Sequence, residues 1–192
     1  MLTLTGTSTN TPINISSGAG LIDSNGGLAS NAVVTNAGNL TVNAADTINT
    51  YTQNGTGTLA GTGVLTATNG ATLNGGTVSG NLLGNTTSTG TVLVSGTIGG
   101  GLLNVTGGVL TLTGSSTNTP IDISSGAELV DSNGGLANAA VVTNAGTLTV
   151  NAADTINTYT QNGNGELSGP ASLTASNGAT LNGGTVSGNL LG

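Results

Sequence analysis

Apolar residues in this chain come in very short runs, mostly at every second position. Leu2-Thr3-Leu4, Ile13-Asn14-Ile15, Leu40-Thr41-Val42, Leu65-Thr66-Ala67, Val92-Leu93-Val94 and Leu110-Thr111-Leu112 are examples. A period of two over a few residues, rich in β-branched types, predicts short strands with one face turned inward. Asn25-Gly26, Asn54-Gly55, Asn69-Gly70, Asn74-Gly75-Gly76 and Gly99-Gly100-Gly101 separate these runs. Gly and Asn tolerate left-handed backbone, so these segments predict turns. No apolar stripe of helical period reaches a useful length. The best helical stretch, Leu28 to Val34, is short and has Asn31 at its centre.

The strand pattern is written twice. Leu2–Gly84 and Leu110–Gly192 align without a gap at an offset of 108, with 69 of 83 paired positions identical. Thr41–Gly55 recurs unchanged as Thr149–Gly163. Repetition on this scale marks a modular array and directs attention to length and surface rather than to a single catalytic cleft. Residues 85–109 carry the same strand grammar between the copies, so they read as further coils and not as a flexible linker. The expected organisation is one continuous rod: copy one over 1–84, spacer coils over 85–109, copy two over 110–192.

Many short strands fit a sandwich, a barrel or a parallel solenoid. The chain has two Tyr and no Phe or Trp. A sandwich core about 10 Å thick is usually filled partly by large side chains, whereas a narrower solenoid coil is filled by stacked Val, Ile, Leu, Ala and Thr. The predicted fold is therefore all-β, a parallel β-solenoid, with Asn side chains laddering from rung to rung. Rungs of roughly 18–22 residues divide each repeat into five or six coils, and strand spacing then makes the rod about 45–50 Å long. Pro12, Pro120 and Pro170 fall at strand starts or turns, where a missing donor costs little.

Composition narrows the function classes. The chain has no Lys, Arg, His or Cys and seven acidic residues, for a net charge of −7. Phosphate-neutralising groups are missing, which speaks against nucleic-acid binding and against a polybasic membrane contact. No apolar stretch of about 20 residues predicts a membrane span, and the start lacks the charged and apolar regions of a signal peptide. Cysteine cannot fix the redox compartment. The regular supply of Val, Ile and Leu argues against disorder despite the low charge. Met1 stands where the second copy has Val109, as if a start had been placed at a repeat boundary of a longer chain.

Leu2-Thr3-Leu4-Thr5-Gly6, then Thr9-Asn10-Thr11-Pro12-Ile13-Asn14-Ile15 and Gly18-Ala19, resembles the passenger repeats of bacterial autotransporters. Asn39-Leu40-Thr41-Val42 and Gly57–Thr66 are similar to rungs of filamentous-haemagglutinin-like surface adhesins. The resemblance covers most of both copies and concerns the style of the repeat. It implies a right-handed β-helix at or beyond a bacterial cell surface, hence an extracellular or surface location, and a structural part in a fibre, adhesin or biofilm matrix. No translocator or secretion domain is recognisable beside it.

Candidate sites are few. Asp23-Ser24-Asn25-Gly26-Gly27 and Asp131-Ser132-Asn133-Gly134-Gly135 have the D-x-N-x-G spacing that opens calcium loops, which makes Asp23, Asn25, Asp131 and Asn133 weak metal candidates. The bidentate acid such loops need at position twelve is Val34 or Val142 here, so an Asx turn is the simpler reading. Asp23 and Asp46 are the one acidic pair present in both copies, but nothing in the sequence brings them together, and no cationic side chain is available to support catalysis. No catalytic or cofactor-binding residue is assigned, no cofactor is expected, and the chain reads as a non-enzyme. Thr-x-Thr at Thr3, Thr50, Thr66 and Thr111 does not recur at constant coil spacing, which weakens an ice-binding plane. Tyr51 and Tyr159, one per copy, read as packing elements before sugar platforms. The expected partners are further copies or neighbouring repeats joined through the solenoid ends, with surface glycans as the other candidate.

Overall fold

The computed structural model describes residues 1–192. It contains 29 strands of two to four residues and no helix, so none is long and apolar enough to cross a membrane. Every strand pair is parallel. Successive coils stack into an 11-stranded sheet, a 10-stranded sheet, and a third sheet divided into segments of five and three strands. The protein is a β-solenoid of about 10 turns with about 19 residues per turn. At about 4.8 Å per step, ten turns span close to 48 Å.

Alternation along each strand produces the core. Leu21, Leu40, Leu59, Val78, Val94 and Leu112 follow one another in register along the first sheet. Leu65, Leu82 and Ile98 do so along the third. All six of the buried Leu and Ile among Leu40, Leu59, Leu65, Leu82, Ile98 and Leu112 are at most 1% exposed. Aliphatic side chains of one shape thus stack on their counterparts at strand spacing and fill most of the narrow interior, with one enclosed tyrosine in each copy, Tyr51 and Tyr159. The segment 85–109 carries Thr86–Ser88, Val92–Val94, Thr97–Gly99 and Leu103–Val105, each paired with coils on both sides.

Coil length is not uniform. Paired residues lie as few as 15 apart in sequence, as for Ala71 and Thr86, and as many as 21 apart, as for Ile13 and Val34. Insertions are absorbed at the corners. The longest corner segments, residues 24–32 and 132–140, replace a strand of the third sheet by a loop. Leu28 and Ala32, with Leu136 and Ala140 in the second copy, turn inward and fill the place that the strand would take. Leu28–Val34 accordingly forms loop and then strand, not helix. Asparagines ladder on the outside as the composition predicts: Asn74 donates to Asn54 Oδ1 at 2.7 Å and Asn182 to Asn162 Oδ1 at 2.9 Å. Asn69–Asn49 and Asn177–Asn157 repeat the arrangement at another corner.

Candidate functional site

Two polar corners recur in both copies, and copy two adds a buried Ser116–Asn118 pair that bonds to the Gly101 carbonyl. The first is the loop over residues 24–32. Gly26 has φ +68° and Gly134 φ +65°, a left-handed conformation that disfavours a side chain. At Gly27 a Cβ would lie 1.9 Å from the Gly6 carbonyl oxygen, and at Gly135 one would lie 2.2 Å from that of Gly114. The Gly-Gly pair therefore lets the loop turn and press against the coil beneath.

Two carboxylates hold the turned backbone. The Gly27 N–H donates to Asp23 Oδ1 at 2.9 Å, and the next amide, Leu28 N–H, donates to Asp46 Oδ2 at 2.7 Å. Asp46 Oδ1 accepts from the Thr47 N–H at 2.8 Å. The second copy repeats all three bonds at 3.0, 2.7 and 2.7 Å through Gly135–Asp131, Leu136–Asp154 and Thr155–Asp154. Asp23 and Asp131 are 0% exposed, and Asp46 and Asp154 are 8% exposed. The Asp23 carboxyl lies within hydrogen-bonding reach of Asp46, and Asp131 within reach of Asp154. Burial raises Asp46 from an ordinary 3.8 to about 6; the Leu28 N–H opposes the rise and the Asp23 carboxyl adds to it. Asp154 is raised to about 6 by the same burial, with the Leu136 and Thr155 amides opposing and Asp131 adding.

The structure thus corrects the sequence expectation that nothing joins Asp23 to Asp46. They are 23 residues apart, one coil and a few residues more, and the infolded loop closes the remaining gap. Asp23 and Asp131 cap the loop at the fourth residue on, as turn residues. Asn25, the other calcium candidate of the first copy, donates from Nδ2 to the Thr5 carbonyl at 2.7 Å. Asp23 and Asn25 are therefore engaged with different backbone groups. Asn133 occupies the matching loop position in copy two.

The second polar corner centres on the tyrosines, and both are fully enclosed. Asn36 Nδ2 donates to Tyr51 Oη at 3.0 Å, and Tyr51 Oη donates to Gln53 Oε1 at 2.8 Å. Gln53 Nε2 then donates to the Gly75 carbonyl at 2.9 Å, one coil on. Asn144, Tyr159, Gln161 and Gly183 form the same chain at 2.9, 2.8 and 2.9 Å. Burial pushes both phenols above their ordinary value. These are packing and anchoring residues, as their one-per-copy placement predicts.

The outer surface carries one long motif that sequence spacing concealed. Asn14, Thr35, Thr52, Thr72, Thr87, Asn104, Asp122, Thr143, Thr160 and Thr180 stand in one in-register column on the 10-stranded sheet. Seven of the ten are Thr, whereas Thr-x-Thr pairs on that sheet occur only at Thr50–Thr52 and Thr158–Thr160. A shallow groove of about 320 Å³ crosses the column between Thr52, Thr72 and Thr87, bordered by Asn69 and Asn85. Comparison with known protein families, characterised proteins and solved structures finds no match. Fold and surface define a β-solenoid repeat protein in which the Asp–Asp and Asn–Tyr–Gln corners are built twice from the same residues.

Proposed function

We propose that this chain is a rod-forming segment of a secreted or surface-displayed bacterial fibre, adhesin or extracellular matrix protein, acting through length and stiffness and not through catalysis. The observation that carries the reading is the uninterrupted parallel ladder together with what lies at its two ends. Leu73 and Val78 are fully buried under the next coil, while their second-copy counterparts Leu181 and Val186 are 53% and 38% exposed. At the other end Leu2, Ile13, Ile15, Ala19 and Leu21 line an apolar groove of about 190 Å³. Neither end strand contains a charged side chain or Pro, the usual blocks to edge pairing. Apolar side chains left uncovered at both ends support stacking on another coil, from a second copy or from a neighbouring repeat, so that rods join end to end.

Electron microscopy and small-angle scattering across a concentration series test this. Rods that lengthen with concentration in the parent chain, and stay short in a Leu181→Asp/Leu191→Asp variant, support it. Rods of one fixed length at every concentration in both refute end-to-end joining. A second reading, an ice- or glycan-binding module, draws on the Thr column and its groove. Thermal hysteresis or glycan-array binding lost in Thr52→Val/Thr72→Val would favour it over the purely structural role.

A further inference from the structure

We propose that Asp23 with Asp46, and Asp131 with Asp154, each hold one shared proton, and that this proton fastens the 24–32 and 132–140 loops to the body of the rod. The geometry begins with an orphan. Three of the four carboxylate oxygens in each pair accept a backbone N–H. The fourth, Oδ2 of Asp23 or Asp131, is buried with no partner. A buried acceptor without a donor is costly, and two buried carboxylates side by side are more so. A hydrogen on that oxygen removes both faults. The proton then lies between the Asp23 Oδ2 oxygen and the Asp46 carboxyl, so the pair carries a single charge, while Asp23 Oδ1 still accepts from Gly27 and the Asp46 oxygens from Leu28 and Thr47. Two like carboxyl groups in contact share a proton for the same reason in general.

No other group can supply the missing positive charge. The chain contains no Lys, Arg or His. In register with Asp23 stand Leu4 beneath and Val42 above, and Leu65 stands above Asp46. Leu112, Val150 and Leu173 take these places in the second copy. The remaining acids, Asp122, Glu128 and Glu166, sit at outward strand positions. The Met1 amine has no second-copy equivalent, since Val109 holds that position within the chain. The upward displacement of Asp46 and Asp154 to about 6 agrees with this chemistry. When the proton leaves, Asp46 is the partner with some access to water. Its outward turn releases the Leu28 N–H, and the Gly26-Gly27 pair gives the loop a hinge.

Substitution tells the two carboxyls apart. Asp23→Asn/Asp131→Asn reproduces the protonated pair: Asn Oδ1 accepts from Gly27, and Nδ2 donates to Asp46. Asp46→Asn/Asp154→Asn instead turns an amide donor toward N–H groups that already donate. The measurement is hydrogen exchange at the Leu28 and Leu136 amides against pH, corrected for intrinsic exchange, with circular dichroism as the check on fold. In the unaltered chain, protection should fall at least about tenfold as pH rises through the pair's titration. Asp23→Asn/Asp131→Asn should keep protection level across that range, and Asp46→Asn/Asp154→Asn should lower it at every pH. The infrared carbonyl band of a protonated carboxylic acid should persist in the unaltered chain at about pH 5 and be lost with the same midpoint, a readout that needs no variant. Protection without a pH step, or no acid carbonyl band, overturns the proposal. Protection restored at neutral pH by calcium chloride alone also overturns it, and assigns the pair to a cation.

Discussion

Removing one oxygen from each tyrosine isolates the contribution of the second polar corner. In Tyr51→Phe the ring still fills the coil, so little apolar burial changes. Asn36 Nδ2 loses Tyr51 Oη but keeps the Thr58 carbonyl at 2.9 Å. Gln53 Oε1 loses the hydroxyl that donates to it at 2.8 Å. One buried acceptor is thus left bare, which costs about 1–3 kcal/mol; the small void adds less. Tyr159→Phe breaks the same bonds but should cost less. The coil above it, residues 179–192, is largely exposed and so closer to opening freely. The chain has two Tyr and no Trp, so each single variant leaves one fluorophore, placed in the other copy. Urea unfolding followed by that fluorophore and by circular dichroism separates local from global loss, since a solenoid unfolds as a linear array of coupled units. The two losses should add in the double variant, because the sites are six coils apart and share no partner. A Tyr51→Phe cost below about 0.5 kcal/mol, or a larger cost at Tyr159, would refute the reasoning.

Acid should strengthen the fold before it aggregates it. The folded state raises Asp46 and Asp154 from 3.8 to about 6, so their stabilisation is full below 3.8 and is lost as pH rises through 6. The change is at most about 3 kcal/mol per copy, urea midpoints should fall from about pH 4.5 to pH 7 and stay level above, and a rise over that interval contradicts the assignment. Association should increase toward the isoelectric point near 4.1, where net repulsion vanishes; light scattering that is flat there counts against it. Gly27→Ala should cost several kcal/mol, because the new methyl meets a backbone carbonyl, while Gly55→Ala meets nothing and pays only for φ +56°, about 1 kcal/mol. Equal thermal shifts for the two would be inconsistent with the close approach at Gly27. Leu65→Ala should cost about 2–5 kcal/mol and Leu93→Ala, at an outward and partly exposed position, under about 1 kcal/mol; similar denaturation midpoints would place the core elsewhere.

The strands, the turns and the stacking of like on like were all legible, because each depends on alternation over a few residues. The inward Leu40 and Leu65 follow from local pattern alone, and so do the Asn-Gly turns at Asn54 and Asn74, though not which Asn would meet which. What depends on coil length was not legible. A corner absorbs between one and several extra residues without changing the strands it joins, so equal spacing in sequence is not equal height on the rod. Thr52 and Thr72 are 20 residues apart and Thr72 and Thr87 only 15, yet all three stand in one column. Judged by constant spacing, that column disappears.

The Asp pair escaped for the same reason, but a sequence signal for it does exist. Seven acids are present, and four of them, Asp23, Asp46, Asp131 and Asp154, occupy matching positions in the two copies. Asp122, Glu128 and Glu166 face Asn14, Gly20 and Thr58 in the other copy. The matched four are the buried ones, and the unmatched three are not. An outward side chain on a strand can change with little consequence for the ladder. An inward carboxyl that caps a loop amide cannot, because its loss leaves a buried N–H without a partner. In a chain that repeats itself, identity between copies at a polar residue amid apolar neighbours therefore points inward. Where two such residues recur together, about one coil apart, the solenoid gives them a physical reason to meet.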